Sequence, residues 1–141
     1  MKLRLYTVGK NKTDEYSALC GEFEQRIHRK IPFIYRNFSD QKALLNDLKD
    51  QWFVVLMNAG AKMPKSSVKF AHLLKYYLNK RQEDVVFIIG GAYGFENELL
   101  ARGDRKISLS PLTFPHRMAR LILVEQIYRA LSILDGEPYS H

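Results

Sequence analysis

Two uninterrupted apolar runs, residues 52–57 and 85–89, decide most of what this chain can fold into. A strand with one wet face alternates apolar and polar side chains. A strand without a polar position needs cover on both faces, and helices on either side of a parallel sheet supply it. Around these runs apolar residues recur three and four apart, the spacing of a helix with one buried stripe. Phe70, Leu73, Leu74 and Tyr77 form one such stripe, opened by Ser66 or Ser67 as a cap. The alternation predicts an α/β domain with a mainly parallel sheet and helices on both faces.

The same reading extends along the chain. Residues 2–9 alternate, with Leu3, Leu5 and Thr7 on one face and Arg4, Tyr6 and Val8 on the other. Thr13 caps a helix whose first turn holds Asp14 and Glu15, which buries Leu19, Phe23 and Ile27 and ends in basic residues 26–30. Pro32 stops it before a short strand at 33–35, and Ser39 or Asp40 caps a brief helix with Leu44, Leu45 and Leu48. A short helix near 96–102, a fifth strand at 106–109 and a helix from about 115 to 134 follow. With no repeat or linker, residues 1–141 read as a single domain. Twelve of the twenty residues from 115 to 134 are apolar, more than one stripe against a sheet requires. That helix is expected at a twofold homodimer interface, the alternative being a central helix within one subunit.

Charge is unevenly spread. Residues 1–80 hold 15 Lys and Arg against 7 Asp and Glu, whereas residues 81–141 hold 7 against 8. A nucleic-acid partner gripped through its phosphates explains such an excess, and solubilising lysines explain it too. The single cysteine, Cys20, excludes an internal disulfide, suits a reducing cytoplasm and reads as a buried, inert thiol. No apolar run is long enough to span a bilayer, so no membrane partner is expected.

Chemistry concentrates in two late loops. The strand at 85–89 runs into Gly90-Gly91-Ala92-Tyr93-Gly94-Phe95, and Ser108-Leu109-Ser110-Pro111-Leu112-Thr113-Phe114-Pro115-His116 opens the last helix. A phosphate-binding P-loop needs Lys-Ser/Thr after its second glycine, but Phe95-Glu96 follow Gly94. A dinucleotide fingerprint belongs after the first strand, and here the glycines follow the fourth. Main-chain groups, small hydroxyls and flanking apolar side chains suit a flat heterocycle held edge-on in an apolar slot. His28, His72, His116 and His141 are scattered, so no metal is expected. His116 reads as a first-turn helix residue, while Arg117 and Arg120 read as phosphate contacts or as ordinary surface arginines. After Gly136 the chain turns off the helix and ends in Pro138-Tyr139-Ser140-His141. Such tails fray, but a docked one would bring a titratable group over the pocket.

Ile-Gly-Gly-x-x-Gly-Phe at 89–95, Leu-Ser-x-Leu-Thr-Phe-Pro-His at 109–116, Glu-Gln-x-Tyr-Arg-Ala at 125–130 and the closing Pro138-Tyr139 are specific in combination. Together they resemble the ribosomal RNA large subunit methyltransferase H family of SPOUT methyltransferases, and residues 1–10 and 66–71 also fit. The resemblance implies a homodimer with a C-terminal trefoil knot that binds S-adenosylmethionine. It also implies N3 methylation of a pseudouridine in the helix 69 loop of 23S rRNA on the assembled ribosome. By motif, the cofactor would meet Leu56, Gly90, Leu109, Ser110, Pro111, Leu112, Thr113 and Phe114, and catalysis would fall to Tyr139, His141 and Arg129. The chain departs from the family pattern at Met57, where the family has Asp, at Ser140, and in a shortened segment between Phe38 and Trp52. These departures leave a catalytically weakened ribosome- or RNA-binding paralogue as the alternative. A small-molecule enzyme of ordinary doubly wound topology is a third reading.

Overall fold

A computed structural model describes residues 1–10 and 15–139. Five strands, β1 (Leu3–Val8), β2 (Phe33–Phe38), β3 (Phe53–Met57), β4 (Val85–Ile89) and β5 (Arg105–Ile107), form one sheet in the order β2-β1-β4-β3-β5. Every pairing is parallel, as the apolar runs predict. The central strands are set level, with Leu5 opposite Phe87 and Val55 opposite the same residue from the other side.

The helices are α1 (Glu15–Lys30), α2 (Gln41–Asp47), α3 (Ser67–Lys80), α4 (Asn97–Arg102) and α5 (His116–Leu134). Leu3, Leu5, Val55, Phe87 and Ile107 point to the face covered by α1, α3 and α5. Tyr6, Val8, Val54, Leu56, Val86 and Ile88 point to the face covered by α2 and α4. Strand positions therefore alternate between two cores, and both are apolar. Asp40 caps α2 by accepting from the Ala43 amide at 2.8 Å, and Ser66 caps α3 by accepting from the Lys69 amide at 3.1 Å. The expected cap at Thr13, with Asp14, lies outside the described residues.

Two expectations change. Leu19 is 46% exposed, and Cys20 is the buried residue of that turn. Leu19, Phe23 and Ile27 are four apart, a spacing that drifts 40° per step around a helix, so a stripe centred on Ile27 leaves Leu19 behind. Second, β2 runs on to Phe38 because each of its six residues pairs with β1. The last helix, α5, packs between α1 and α3 over the sheet, burying Leu123, Val124, Ile127, Ala130 and Leu131. Much of its apolar excess is thus covered within the subunit.

Beneath α2 lies a polar network at the strands' amino ends. The Tyr6 hydroxyl, wholly buried, donates to Asp47 at 2.5 Å and accepts from Arg4 at 3.0 Å. Burial first, and then the bond to Asp47, pushes the Tyr6 phenol up to about 12. A tyrosine raised in the fold contributes stability that is complete below the unfolded value and lost as pH rises through the folded one. Stability is therefore expected to fall by roughly 2–3 kcal/mol between about pH 10 and 12. Urea melts at stepped pH check this, and a Tyr6→Phe variant with the same alkaline slope would refute it.

Candidate functional site

The carboxyl ends of β3, β4 and β5 and the first half of α5 enclose one cavity of about 530 Å³. Its floor is Met57, Ile89 and Ile107, the last residues of three adjacent strands. One wall is the glycine turn, through Gly90, Gly91, Ala92, Gly94 and Phe95. The opposite wall is the loop after β5, and the back is His116, Ala119, Ile122 and Leu123 of α5. The site sits where parallel sheets commonly bind ligands, outside the strands' carboxyl ends.

Each wall is shaped by its own sequence. The Gly94 amide donates to the Gly91 carbonyl at 3.1 Å, and Gly94 sits at φ +75°, a conformation that strains other residues. A Cβ on Gly90 would lie 3.1 Å from the Phe95 ring and 3.2 Å from the Gly94 carbonyl, so the turn closes this tightly only with glycine there. Gln41 braces it from outside, donating to the Gly94 carbonyl at 2.7 Å and accepting from the Glu96 amide at 2.8 Å. In the second loop the Ser108 hydroxyl donates to the Ser110 carbonyl at 2.7 Å, and the Ser110 hydroxyl accepts from the Leu112 amide at 3.0 Å. These short side-chain turns end β5 at Ile107 instead of Leu109. His116 Nδ1 lies 3.0 Å from the Gly90 carbonyl. A carbonyl only accepts, so Nδ1 carries the proton and ties α5 to the glycine turn.

Of the eight positions assigned to a ligand by motif, Gly90, Leu109, Ser110, Leu112, Thr113 and Phe114 line the cavity. Leu56 and Pro111 do not. Leu56 is wholly buried in the core on the α2 face, and its strand neighbour Met57 reaches the cavity instead. Asn58, Ala59 and the α5 residues Ala119, Ile122 and Leu123 also line the cavity, and the sequence did not single them out. The signal for them was available, since any residue just beyond a parallel strand's carboxyl end is a candidate.

Arg129 and Tyr139 do not line this subunit's cavity. Arg129 pairs with Glu125 at 2.9 Å and stacks over Tyr139, its guanidinium 4.4 Å from the ring centre. Tyr139 also meets the Tyr128 ring at 5.3 Å, and Lys30 binds Asp135 and Glu137 at 2.8 Å each. The tail thus docks back along α5 as far as residue 139, and His141 lies outside the described residues. Burial, and then a hydrogen bond to Glu125, pushes the Tyr139 phenol above its usual range. Arg120 is committed inside the subunit: it pairs with Glu24 at 2.9 Å and stacks 3.6 Å from the Tyr35 ring. Burial raises the Glu24 carboxyl even so, outweighing Arg120. Among the described residues no three His, Cys, Asp or Glu side chains are grouped to hold a metal, and no helix is long and apolar enough to cross a membrane.

Comparison with known proteins adds a family to this geometry. Residues 1–141 match the family model described as predicted SPOUT methyltransferase. The chain is 34% identical to ribosomal RNA large subunit methyltransferase H of Christiangramia forsetii, over 100% of its own length and 99% of the relative's. It is 35% identical to the protein of the same name from Bacteroides thetaiotaomicron, with the same coverage. Among solved structures, TrmJ from Z. mobilis ZM4 superposes with a TM-score of 0.56 at 10% identity, covering 100% of this chain and 73% of that one. A Legionella pneumophila protein described as a methyltransferase, solved in complex with the cofactor SAM, gives 0.51 at 16% identity, covering 95% and 66%. These likenesses carry the fold.

Proposed function

The chain belongs to the SPOUT methyltransferase family, and on that premise we propose that it methylates 23S rRNA from S-adenosylmethionine, at N3 of a pseudouridine in the helix 69 loop of the assembled ribosome. The observation that carries the reading is the cavity at the ends of β3, β4 and β5, in a chain matched end to end by large-subunit rRNA methyltransferases. Its volume of about 530 Å³ lies within the range of small-molecule and cofactor sites. Gly90, Leu109, Ser110, Leu112, Thr113 and Phe114 would hold the cofactor, through main-chain groups and an apolar slot. When bound, S-adenosylmethionine supplies a methyl group on a sulfonium, which needs no metal.

The chain's own residues orient the substrate, exclude water and manage one proton. Leu112 and Phe114 shield the cavity, and the His116–Gly90 bond fixes α5 against the glycine turn. The imide N3 must lose its proton before it can accept a methyl group. A Tyr139 phenol raised by burial stays protonated at neutral pH, so it acts as a hydrogen-bond donor beside Arg129 and not as the base. His141 takes the remaining proton-handling role. Arg129 and Tyr139 lie off this subunit's cavity, and a homodimer in which one subunit completes the other's site reconciles that placement with catalysis. Half-buried Met118, Leu121 and Ile122 on α5, with exposed Leu19 on α1, supply apolar surface for the pairing. A trefoil-knotted last third, in a cytoplasmic protein, completes the proposal.

The test is methyl transfer from labelled S-adenosylmethionine to ribosomes lacking this modification, with the product nucleoside mapped. Transfer to the helix 69 loop is the expected result, and ribosome binding without transfer would overturn it. Deleting His141 is expected to lower kcat while cofactor affinity holds. Equal kcat in the two proteins would remove the tail from the chemistry.

A further inference from the structure

Every residue from Gly90 to Phe95 lines the cavity except Tyr93. Its side chain is fully exposed, and the turn that carries it is not loose. The Gly94–Gly91 hydrogen bond closes the turn, and Gln41 holds both the Gly94 carbonyl and the Glu96 amide. An aromatic ring is thus presented to solvent on a braced support at the mouth of the site. The facing loop adds Leu112, 69% exposed, and Phe114, 38% exposed, both of which line the cavity. Three of the eight exposed large hydrophobics among the described residues therefore stand around one opening. A single exposed apolar side chain is ordinary, but three around a mouth mark a surface that something covers.

Resting on the rRNA methyltransferase reading, we infer that Tyr93 is a stacking platform for an unpaired base beside the target nucleotide. A nucleotide delivered into the cavity must leave its own stack, and its neighbours then lose stacking partners as well. A rigid aromatic ring at the rim replaces one of them at little entropic cost, the way single-stranded RNA is commonly gripped. An exposed lysine lies near the opposite wall, where the Ser108 amide donates to the Lys62 carbonyl at 3.2 Å, and can meet a phosphate of the same strand. Tyr93 is a positioning residue in this scheme, since it touches neither the cofactor nor the reacting atoms.

Tyr93→Ala and Tyr93→Phe separate this role from others. For Tyr93→Ala, methyl-transfer kinetics on unmodified ribosomes should show KM for the ribosome raised about 5- to 100-fold, with kcat within twofold. Calorimetric affinity for S-adenosylmethionine and the thermal midpoint should match the wild type, and Tyr93→Phe should restore the low KM. An unchanged KM in Tyr93→Ala, or a Phe variant as impaired as Ala, overturns the platform. So does an equal loss of cofactor affinity, which would make Tyr93 part of the cofactor site. Wild-type protein that transfers no methyl group overturns the function instead. In that event a fluorescent single-stranded oligoribonucleotide still reads Tyr93: weaker binding by Tyr93→Ala supports the platform, and equal affinity refutes it.

Discussion

Replacing Asp84 with alanine is expected to cost the fold about 3–5 kcal/mol, the range for breaking a buried ion pair by removing one partner. Asp84 immediately precedes β4, which lies between β1 and β3. One carboxylate oxygen accepts from the Lys2 amide at 2.8 Å and the other from Arg4 Nε at 2.6 Å. The pair is nearly closed to water, its side chains 13% and 12% exposed. Without Asp84 the Arg4 guanidinium is left stacked 4.2 Å from the Trp52 ring, with the Tyr6 hydroxyl as its one side-chain hydrogen-bond acceptor among the described residues. Domains of this size are stable by roughly 5–15 kcal/mol, so the variant should sit near its threshold at 37 °C. Equilibrium urea unfolding measures it, and a loss below 1 kcal/mol would show the pair to be incidental. Asp84→Asn, which keeps one acceptor oxygen and sets an NH2 donor in place of the other, should fall between.

The second large effect is on ligand binding. Ala119→Trp projects an indole from α5 into the cavity between the two loops, and affinity for S-adenosylmethionine should drop at least a hundredfold, about 3 kcal/mol. Ala119 is small, half-buried and faces open volume, so Ala119→Ser should bind normally and serves as the control. Calorimetry reports the affinity, and the helical circular dichroism signal reports whether α5 survives. A folded Trp variant that binds as tightly as the wild type would mean that the cofactor lies elsewhere.

The strands were the most legible part of the fold, because burial on both faces writes itself as 52–57 and 85–89 without a polar break. Helix starts were legible where a short polar side chain reaches a free amide, as at Asp40 and Ser66. The order of the strands was not, since pairing β1 with β4 joins residues some 80 apart and leaves no local mark. The two walls of the cavity could be read from glycine and serine spacing. Its floor could not: whether Leu56 or Met57 faces the site depends on which side of the sheet α5 covers, and a strand apolar at every position hides that choice. Whether the tail frays or docks was hidden for a similar reason. Its order comes from Lys30 on α1 and from Arg129, partners brought alongside only by the packing of α1 against α5.

Gln41 contributes nothing to the lining of the cavity, yet its side chain clasps both flanks of the glycine turn. It stands at the head of α2, on the other face of the sheet from α5. A change in how α2 packs is therefore expected to reach the glycine turn through these two bonds. A segment that never touches the bound molecule can thus set the stiffness of one wall that holds it.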